Sequence, residues 1–239
     1  MKAIILAGGK GTRGKPYTEY FPKAMTPING KPMIDYIVKY LKSFNFIKEV
    51  IIISDFNGLG GQIKNYYGKQ KNIKFIQDSQ SGTGGDLLHI EKELKNESEF
   101  LLWFVDNLCA VDIKKMRDVF KEKNSTACIA TRTKRKEETG FAEVENGLIT
   151  EFKEKPLMKL QLSECLGIYM LGKEVMQKIK KKKKKKQVNL SYDILQQLSK
   201  EGKVSAYDIA EREWIDAESP MVLERNEKIV TKIIKQMGL

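Results

Sequence analysis

A glycine-rich segment near the start of the chain combines backbone freedom with positive charge. Residues 8–12 follow a short apolar run at residues 2–6 and contain three glycines. Glycine lets a backbone approach a ligand closely, and successive amides in such a turn can bind an anion. The cations in or after this loop are Lys10, Arg13, Lys15 and Lys23. The pattern favours a phosphate-binding loop, and a glycine turn without a ligand is the alternative.

The same loop also matches the dinucleotide-binding fingerprint. Residues 9–14 have the spacing G-x-G-x-x-G, and Asp35 lies about 20 residues further on. That fingerprint requires a helix that opens at the loop. Pro16 and Pro22 lie where this helix would run, and a proline there removes an amide and clashes with the preceding turn. A dinucleotide site is therefore disfavoured, and a P-loop is too, because no Gly-Lys-Ser/Thr follows.

One aspartate is placed where a metal ion could be held. Asp106 directly follows residues 100–105, the most apolar run of the chain. In an open parallel sheet, ligands bind beyond the carboxyl ends of the strands. Mg²⁺ prefers one or two carboxylates together with substrate phosphates. The alternative is a helix cap, since Asp106, Asn107 or Asp112 could begin the next helix.

The elements that would position these residues alternate between strand and helix. Short apolar runs predict strands at residues 2–6, 49–54, 73–77, 100–105 and 126–131. Helical patterns predict helices that begin at Pro32 and at Gly82, the latter ending near Leu94, and helices at residues 59–67 and 113–120. This alternation predicts a mainly parallel sheet with helices on both faces.

The pattern changes after about residue 138. Two β-type runs, 141–144 and 148–152, flank an Asn-Gly pair, which predicts a hairpin. A strand at 166–171 and helices at 191–198 and 220–237 follow. We expect one α/β domain over residues 1–239, made of two parts at 1–135 and 136–239.

Composition excludes several classes of site. Three widely spaced cysteines allow neither a disulfide framework nor a C-x-x-C metal site, and one histidine, His89, excludes a multi-histidine site. No apolar run approaches the roughly 20 residues that span a bilayer. We expect a cytoplasmic protein without membrane contact. The formal net charge is +12, but residues 180–186 are all lysine. We interpret that run as a solvated charge cluster and expect no nucleic-acid partner.

Four short stretches near the start of the chain form a longer pattern. They read LAGGKGTR at 6–13, PYT at 16–18, PKAMTP at 22–27 and GKPM at 30–33. Together they resemble the N-terminal signature of the sugar-1-phosphate nucleotidyltransferase family. Members of this family join a sugar 1-phosphate to a nucleoside triphosphate and release pyrophosphate. So many matched positions at fixed spacing are far more specific than a lone glycine motif.

The resemblance implies a set of nucleotide-binding residues. Around the triphosphate they are Leu6, Ala7, Gly8, Gly9, Gly11, Thr12 and Arg13, and at the base Gln77, Gly82 and Thr83. Arg13 and Lys23 would be catalytic because they neutralise charge on the phosphates. A glutamine amide can both donate to and accept from a base edge. The alternative for the second glycine turn is an ordinary strand–helix connection capped by Thr83.

The resemblance also implies metal and sugar sites. The segment WIDAESP at 214–220 is similar to a family segment whose aspartate binds metal, so Asp216 would share Mg²⁺ with Asp106 as a catalytic pair. The alternative is that Asp216 only precedes the last helix. The residues implied for the sugar phosphate are Gly140, Glu154, Lys155 and Gly167. A solvated charge pair is the alternative for Glu154 and Lys155.

The chain departs from the family pattern at a few positions. Gly14 stands for the usual leucine, Val105 for a glycine, Cys165 for an asparagine, and Glu218-Ser219 for Gly-Thr. The resemblance implies a three-layer α/β/α, Rossmann-like nucleotidyltransferase fold with a mixed, mainly parallel sheet. No hexapeptide pattern indicates the β-helical C-terminal domain of some relatives.

The sequence therefore predicts a Mg²⁺-dependent enzyme that binds a nucleoside triphosphate and a sugar 1-phosphate and makes an NDP-sugar. Guanylyl, uridylyl, thymidylyl and cytidylyl transfer are all compatible with the second glycine turn, and a homo-oligomer is compatible with the chain. The alternatives are a non-catalytic regulatory subunit of the same fold, a nucleotide-binding oxidoreductase and a basic nucleic-acid binder.

Overall fold

A computed structural model of the chain describes residues 1–9, 11–182 and 184–239, so Lys10 and Lys183 lie outside the described residues. Its strands are β1 (Lys2–Leu6), β2 (Pro27–Ile28), β3 (Lys31–Pro32), β4 (Glu49–Ser54), β5 (Ile73–Gln77), β6 (Glu99–Phe104), β7 (Asn107–Cys109), β8 (Ala127–Lys136), β9 (Phe141–Glu145), β10 (Leu148–Lys153), β11 (Leu157–Gly172), β12 (Val204–Asp208) and β13 (Trp214–Asp216).

The α-helices are α1 (Met33–Lys42), α2 (Gly61–Tyr67), α3 (Gly82–His89), α4 (Glu91–Leu94), α5 (Ile113–Glu122), α6 (Glu174–Lys181), α7 (Gln196–Lys200), α8 (Pro220–Arg225) and α9 (Glu227–Gln236). Short 3₁₀ turns lie at Thr12–Gly14, Tyr17–Glu19 and Lys23–Met25, and a π-helix at Leu190–Leu195. In the part of the chain described above, no helix has both the length and the apolar character needed to cross a bilayer.

Seven strands form the central sheet in the order β12-β8-β11-β6-β1-β4-β5. Strand β11 is antiparallel to both of its neighbours, and the other neighbouring pairs are parallel. Leu6 at the end of β1 is level with Ile53 of β4 and Phe104 of β6. The carboxyl ends of these strands therefore meet at one edge, where open parallel sheets bind their ligands.

Helices cover both faces of this sheet. Ile4 and Ile5 of β1 are both fully buried, but they point to opposite faces. Ile5 packs in a cluster with residues of α1, α5 and α9, whereas Ile4 packs with residues of α3, α6 and the 190–200 region. Burying such a side chain contributes roughly 1.5–3 kcal/mol. The predicted three-layer fold with a mixed, mainly parallel sheet is confirmed.

The second half of the sheet is longer than the sequence predicts. Strand β8 continues through charged residues to Lys136, and β11 begins at Leu157 rather than near residue 166. Strand β12 was not predicted, and it pairs parallel to β8 at the edge of the sheet. The β8 extension at 132–136 contains four cations, and the β11 extension at 157–165 is mostly exposed and mixes apolar with polar residues. Neither has the continuous apolar run from which the other strands were predicted.

Three predicted helices differ from the structure. The helix expected from Gly82 to near Leu94 is two helices, α3 and α4, separated at Ile90. Pro32 does not lie in the first turn of α1, because its backbone is extended and it caps the helix that begins at Met33. The expected helix at 220–237 is two helices, α8 and α9, that meet at Asn226. The Asn226 side chain donates to the carbonyl of Val222 at 3.0 Å, a local bond that competes with helix continuation.

The lysine run lies at the end of α6. Lys180 pairs with Glu91, and Lys185 pairs with Asp193. The other described lysines between 180 and 186 are exposed or partly exposed. Neighbouring acids thus neutralise part of the run.

Candidate active site

Asp106 lies at the carboxyl edge of the sheet, two residues after β6. Its carboxylate is held from two sides. Lys23 Nζ donates to Asp106 Oδ2 at 3.0 Å, and Asn107 Nδ2 donates to Asp106 Oδ1 at 2.8 Å. The Lys23 side chain is only 13% exposed, so this ion pair is better shielded from water than an ordinary surface pair. Val105 points into the core and does not occupy the site.

Asp216 is brought next to Asp106 by a short antiparallel ribbon. Strand β13 pairs with β7 so that Asp216 lies opposite Asn107, and the amide of Ala217 donates to the Asp106 carbonyl at 2.7 Å. Asp216 Oδ1 is buried and finds no hydrogen-bond partner within the described residues. Burial raises the pKa of Asp216, and the charge of Asp106 raises it further.

This arrangement suits a divalent cation. An unpartnered buried carboxylate oxygen is costly, and a second carboxylate beside it adds repulsion that a cation would relieve. The described part of the chain holds no cluster of three or more His, Cys, Asp or Glu residues that could hold a metal. A pair of carboxylates that leaves positions open for water and phosphate is the ligand set that Mg²⁺ prefers.

The first glycine loop connects β1 to this acidic pair. Leu6 ends β1, and the amide of Ala7 donates to Ile53 of β4 at 2.8 Å. Gly8 lies directly against the carboxylate of Asp78, where a side chain would collide. Gly11 has the left-handed φ of 60°, and its carbonyl accepts from Thr18 Oγ1 at 2.7 Å. Gly9 is exposed, and Thr12 begins the 3₁₀ turn that ends at Gly14.

Arg13 does not contact the aspartates but pairs with Glu218. The Arg13 side chain is 68% exposed, and hydrogen bonding to Glu218 raises its pKa. A side chain at Gly14 would approach Thr18 Cγ2 at 2.7 Å and the Glu218 carbonyl at 3.4 Å. Two departures from the family pattern, Gly14 and Glu218, therefore lie next to each other.

The Arg13–Glu218 pair leads to a prediction about nucleotide affinity. In Glu218→Gln, the arginine keeps its charge but loses the carboxylate that competes with phosphate. Exposed pairs are worth about 0.2–1 kcal/mol, so we expect the KM for the triphosphate to fall by roughly 1.5- to 5-fold. Steady-state kinetics at fixed Mg²⁺ measures this change. An increased KM would instead mean that Glu218 assists triphosphate binding.

The second glycine turn is held by a segment that the sequence did not single out. Gly82 has φ of 81°, and a side chain there would approach the Val188 carbonyl at 2.7 Å. Thr83 Oγ1 accepts from the amide of Leu190 at 2.9 Å. The Thr83 hydroxyl thus ties the turn to residues 188–190, a long-range bond that no local motif indicates.

Gln77 ends β5, and its amide is already oriented. Its Nε2 donates to Asp55 Oδ1 at 2.8 Å, and its Oε1 accepts from the amide of Phe56 at 3.0 Å. These two partners fix which end of the amide donates and which accepts. One N–H and one lone pair remain for another partner.

The residues expected to bind the sugar phosphate lie in two places, one near the aspartate pair and one at the base of the β9–β10 hairpin. Gly167 of β11 donates its amide to Asn107 Oδ1 at 3.0 Å, next to the aspartate pair. Lys155 and Asp216 line one cavity of about 840 Å³. Gly140 lies at the base of the hairpin, where a side chain would approach Glu154 Oε2 at 3.1 Å. The structure thus places Lys155 on the same cavity as Asp216, Gly167 against Asn107, and Gly140 next to Glu154.

Arg132 of β8 is a further cavity residue that sequence reasoning missed. Its guanidinium lies 4.4 Å from the ring centre of Trp214, and its Nε donates to Glu164 at 2.7 Å. Four of the five residues at 132–136 are cations, which was a weak signal for an anion-binding surface. The aromatic face and the carboxylate hold this arginine in one orientation.

Lys155 leads to a second prediction. We expect Lys155→Gln to raise the KM for a sugar 1-phosphate about 10-fold, as expected for the loss of one charge-assisted bond, while the KM for the triphosphate changes little. Lys153→Gln is the matched control, because Lys153 is exposed and pairs only with Glu151 among the described residues. Equal effects of the two substitutions would contradict a specific role for Lys155.

The fold and site together define a class of protein. A glycine loop after the first strand, a lysine and two aspartates meet at the carboxyl edge of a mostly parallel sheet. This is an α/β nucleotide-binding fold with a paired-carboxylate site. The family model described as "Nucleotidyl transferase" matches residues 2–227. The chain therefore belongs to the nucleotidyl transferase family.

Relatives with named activities support this assignment. The chain is 35% identical over 181 residues to a D-glycero-α-D-manno-heptose 1-phosphate guanylyltransferase of Campylobacter jejuni, which covers 73% of this chain and 77% of the relative. It is 32% identical over 196 residues to a UTP–glucose-1-phosphate uridylyltransferase of Synechocystis, covering 73% of this chain and 50% of the relative. The chain thus spans only about half the length of some relatives that it matches.

Solved structures agree on the fold. A Bacillus anthracis protein described as a glucose-1-phosphate thymidylyltransferase superposes with a TM-score of 0.72 and 24% identity, covering 96% of this chain and 95% of its own. At this identity the likeness establishes the fold alone. It confirms the predicted Rossmann-like nucleotidyltransferase architecture.

Proposed function

We propose that the protein transfers a nucleotidyl group from a nucleoside triphosphate to a sugar 1-phosphate, giving an NDP-sugar and pyrophosphate. The observation that carries this proposal is the convergence of Lys23, Asp106 and Asp216 beside the first glycine loop, in a chain of the nucleotidyl transferase family. The named relatives act on sugar 1-phosphates, which supports the same substrate class here.

In this reaction an oxygen of the sugar phosphate attacks the α-phosphorus of the triphosphate. A new P–O bond forms, the bond between the α-phosphorus and its bridging oxygen breaks, and pyrophosphate leaves with the electron pair. Such transfer needs little covalent help from the protein, so positioning and charge neutralisation supply most of the rate. Arg13 and Lys23 would neutralise the phosphates.

Asp106 and Asp216 are the residues that would hold Mg²⁺. The bound ion would supply positive charge that polarises the phosphate oxygens. In the structure the Lys23 ammonium already donates a hydrogen bond to Asp106 Oδ2. We therefore expect this ammonium to move toward a phosphate when the substrates bind. Lys23 would then serve as a counter-ion first for the carboxylate and later for the substrate.

The two substrates would approach from different parts of the chain. Residues 1–135 supply the glycine loops and Gln77, which we assign to the nucleotide. Residues 136–239 supply Gly140, Glu154, Lys155 and Gly167, which we assign to the sugar phosphate. The cavity next to Asp216 has room for a sugar ring, since its volume of about 840 Å³ lies within the usual range for ligand sites.

The test is pyrophosphate release with Mg²⁺ over a panel of nucleoside triphosphates crossed with sugar 1-phosphates. GTP and UTP come first on the panel because the named relatives are a guanylyl- and a uridylyltransferase. Release that requires both substrates and a divalent cation would support the proposal and name the base and the sugar. Triphosphate binding without release from any pair would contradict catalysis and favour a regulatory subunit.

A further inference from the structure

Asn107 carries a side-chain amide whose hydrogen-bonding capacity is completely used. The residue is only 6% exposed. Its Nδ2 donates to Asp106 Oδ1 at 2.8 Å and to the Phe104 carbonyl at 3.3 Å. Its Oδ1 accepts from the amide of Gly167 at 3.0 Å and from Trp214 Nε1 at 2.9 Å. An amide has two donors and two acceptor lone pairs, so every position is filled.

The partners of this amide come from three separate parts of the fold. Asp106 follows β6, Gly167 lies in β11, and Trp214 begins β13. Trp214 is also two residues from Asp216 on the same short strand. One side chain thus joins both aspartates of the candidate metal site to the strand that carries a predicted sugar-phosphate residue.

The neighbours of Asn107 leave it no alternative position. A side chain on Gly167 would collide with the Asn107 amide, so the Gly167 backbone lies directly against the Asn107 side chain. The Asn107 carbonyl accepts from Trp103 Nε1 at 2.7 Å, and Trp103 is fully buried. Arg132 covers the face of Trp214. The amide is therefore fixed by the core on one side and by the cavity wall on the other.

We propose that Asn107 is a positioning residue that sets the relative placement of Asp106 and Asp216 for divalent-cation binding. It does so by orienting Asp106 through Nδ2 and the β13 strand through Oδ1. This inference rests on the proposed function, because it concerns the same carboxylate pair. It adds that the pairing register of β7 and β13 is set by the Asn107 side chain as well as by backbone hydrogen bonds.

The physical basis is the geometry that a shared cation requires. Two carboxylates that must share one ion lose affinity when either rotates, and residues that bond to metal ligands typically contribute 10- to 100-fold to metal affinity. In Asn107→Ala, Asp106 would keep Lys23 but lose its other anchor. The Gly167 amide and the Trp214 indole would lose their acceptor.

The experiment uses Mn²⁺ as the probe for the cation, without substrates, and detects free Mn²⁺ by electron paramagnetic resonance. We expect Asn107→Ala to bind Mn²⁺ 10- to 100-fold more weakly than the wild type. Turnover assays should show a matching increase in the Mg²⁺ concentration for half-maximal rate, so added Mg²⁺ restores part of the activity. A general loss of structure would not be restored in this way.

Asn189→Ala is the matched control. Asn189 is also an asparagine whose Oδ1 accepts a backbone hydrogen bond, from Tyr192 at 3.0 Å, but it caps the helix at Leu190–Leu195 away from the aspartates. We expect it to lower Tm and leave Mn²⁺ affinity within about twofold of the wild type, since the loss of a cap costs stability only. Circular dichroism melts of all variants set the assay temperature below every transition.

Trp214→Phe keeps the test decisive if Asn107→Ala does not fold. It removes one N–H and retains an aromatic face under Arg132, and we expect Mn²⁺ binding to weaken by about threefold or more. If Asn107→Ala folds and binds Mn²⁺ with wild-type affinity, the inference is overturned. If only Trp214→Phe folds, wild-type Mn²⁺ affinity in that variant overturns it. A wild type that binds Mn²⁺ but never releases pyrophosphate would contradict the proposed function while the Mn²⁺ comparison still decides the role of Asn107.

Discussion

Asp106→Asn should reduce kcat by about 10³-fold while the protein remains folded. The substitution preserves shape but removes the charge that would hold the cation next to the reacting phosphate. Losing one preorganised electrostatic group from an active site costs on the order of 10²–10³ in kcat, and a metal ligand belongs at the upper end. Pyrophosphate release at saturating substrates measures the effect.

The structure also predicts what this variant does to Lys23. Lys23 loses the carboxylate that lies 3.0 Å away, so triphosphate binding should be retained or strengthened while catalysis is lost. Asp118→Asn is the matched control, because Asp118 is an exposed residue of α5. Substantial residual turnover in Asp106→Asn, with Asp118→Asn unchanged, would mean that Asp106 is not a ligand of the catalytic cation.

The first half of the fold could be predicted from sequence because its strands consist mainly of apolar residues. The predicted strand at residues 73–77 has the bounds observed for β5, and residues 49–54 have those of β4. Strand β4 is almost completely buried, so its length is visible in its run of apolar residues. Strand β5 lies at the edge of the sheet and is only partly buried, but it still has enough apolar residues to be recognised. The exposed extensions of β8 and β11 pair with each other, and local pattern cannot supply such a pairing partner.

Some residues of the candidate site could likewise be predicted from local sequence, and others could not. Asp106 could be located from its position after an apolar run, whereas Asp216 required the resemblance to a family. Strand β13 has only three residues, and it exists because it pairs with β7. Asn107 was weighed only as a helix cap, and the structure shows that its amide bonds to Asp106, Gly167 and Trp214 instead. Such a role depends on partners that are distant in sequence.

The departures from the family pattern also gain an explanation only in three dimensions. Gly14 lies near Glu218, because a side chain at Gly14 would touch the Glu218 carbonyl, and Glu218 pairs with Arg13. Val105 packs into the core, so its side chain does not narrow the site. Cys165 lies level with Thr131 of β8, in the strand that carries Gly167. The five departures therefore comprise one neighbouring pair, Gly14 and Glu218, and three separate changes, of which Ser219 caps α8.

Asp216→Asn should abolish turnover and at the same time raise the thermal stability of the protein without metal. Asp216 is partly buried, it lies beside Asp106, and its Oδ1 has no partner among the described residues. Its negative charge therefore destabilises the folded state at neutral pH. Relief of about 1 kcal/mol would raise Tm by roughly 2–4 °C for a domain of this size. Calorimetry of both proteins in chelator measures the difference.

The stability advantage of Asp216→Asn over the wild type should depend on pH in a definite direction. Burial, and then Asp106, raise the pKa of Asp216 in the folded state above its ordinary value of 3.8. Above the folded-state pKa the wild type carries the unfavourable charge, so the advantage of Asp216→Asn is complete. As the pH falls through that pKa toward the unfolded value, the wild type takes up a proton when folded and the advantage disappears.

A divalent cation should reverse the order of stability. By the proposed function, Mg²⁺ would bind only the folded protein that has both carboxylates, so it should raise the wild-type Tm with concentration and leave Asp216→Asn nearly unchanged. This reversal separates a metal site from a merely strained carboxylate, which would be relieved by acid but not by Mg²⁺. Asp118→Asn should have the same response of Tm to Mg²⁺ and to chelator as the wild type. A Mg²⁺ response of equal size in Asp216→Asn would place the cation elsewhere, and the unpartnered oxygen of Asp216 would then need a different explanation.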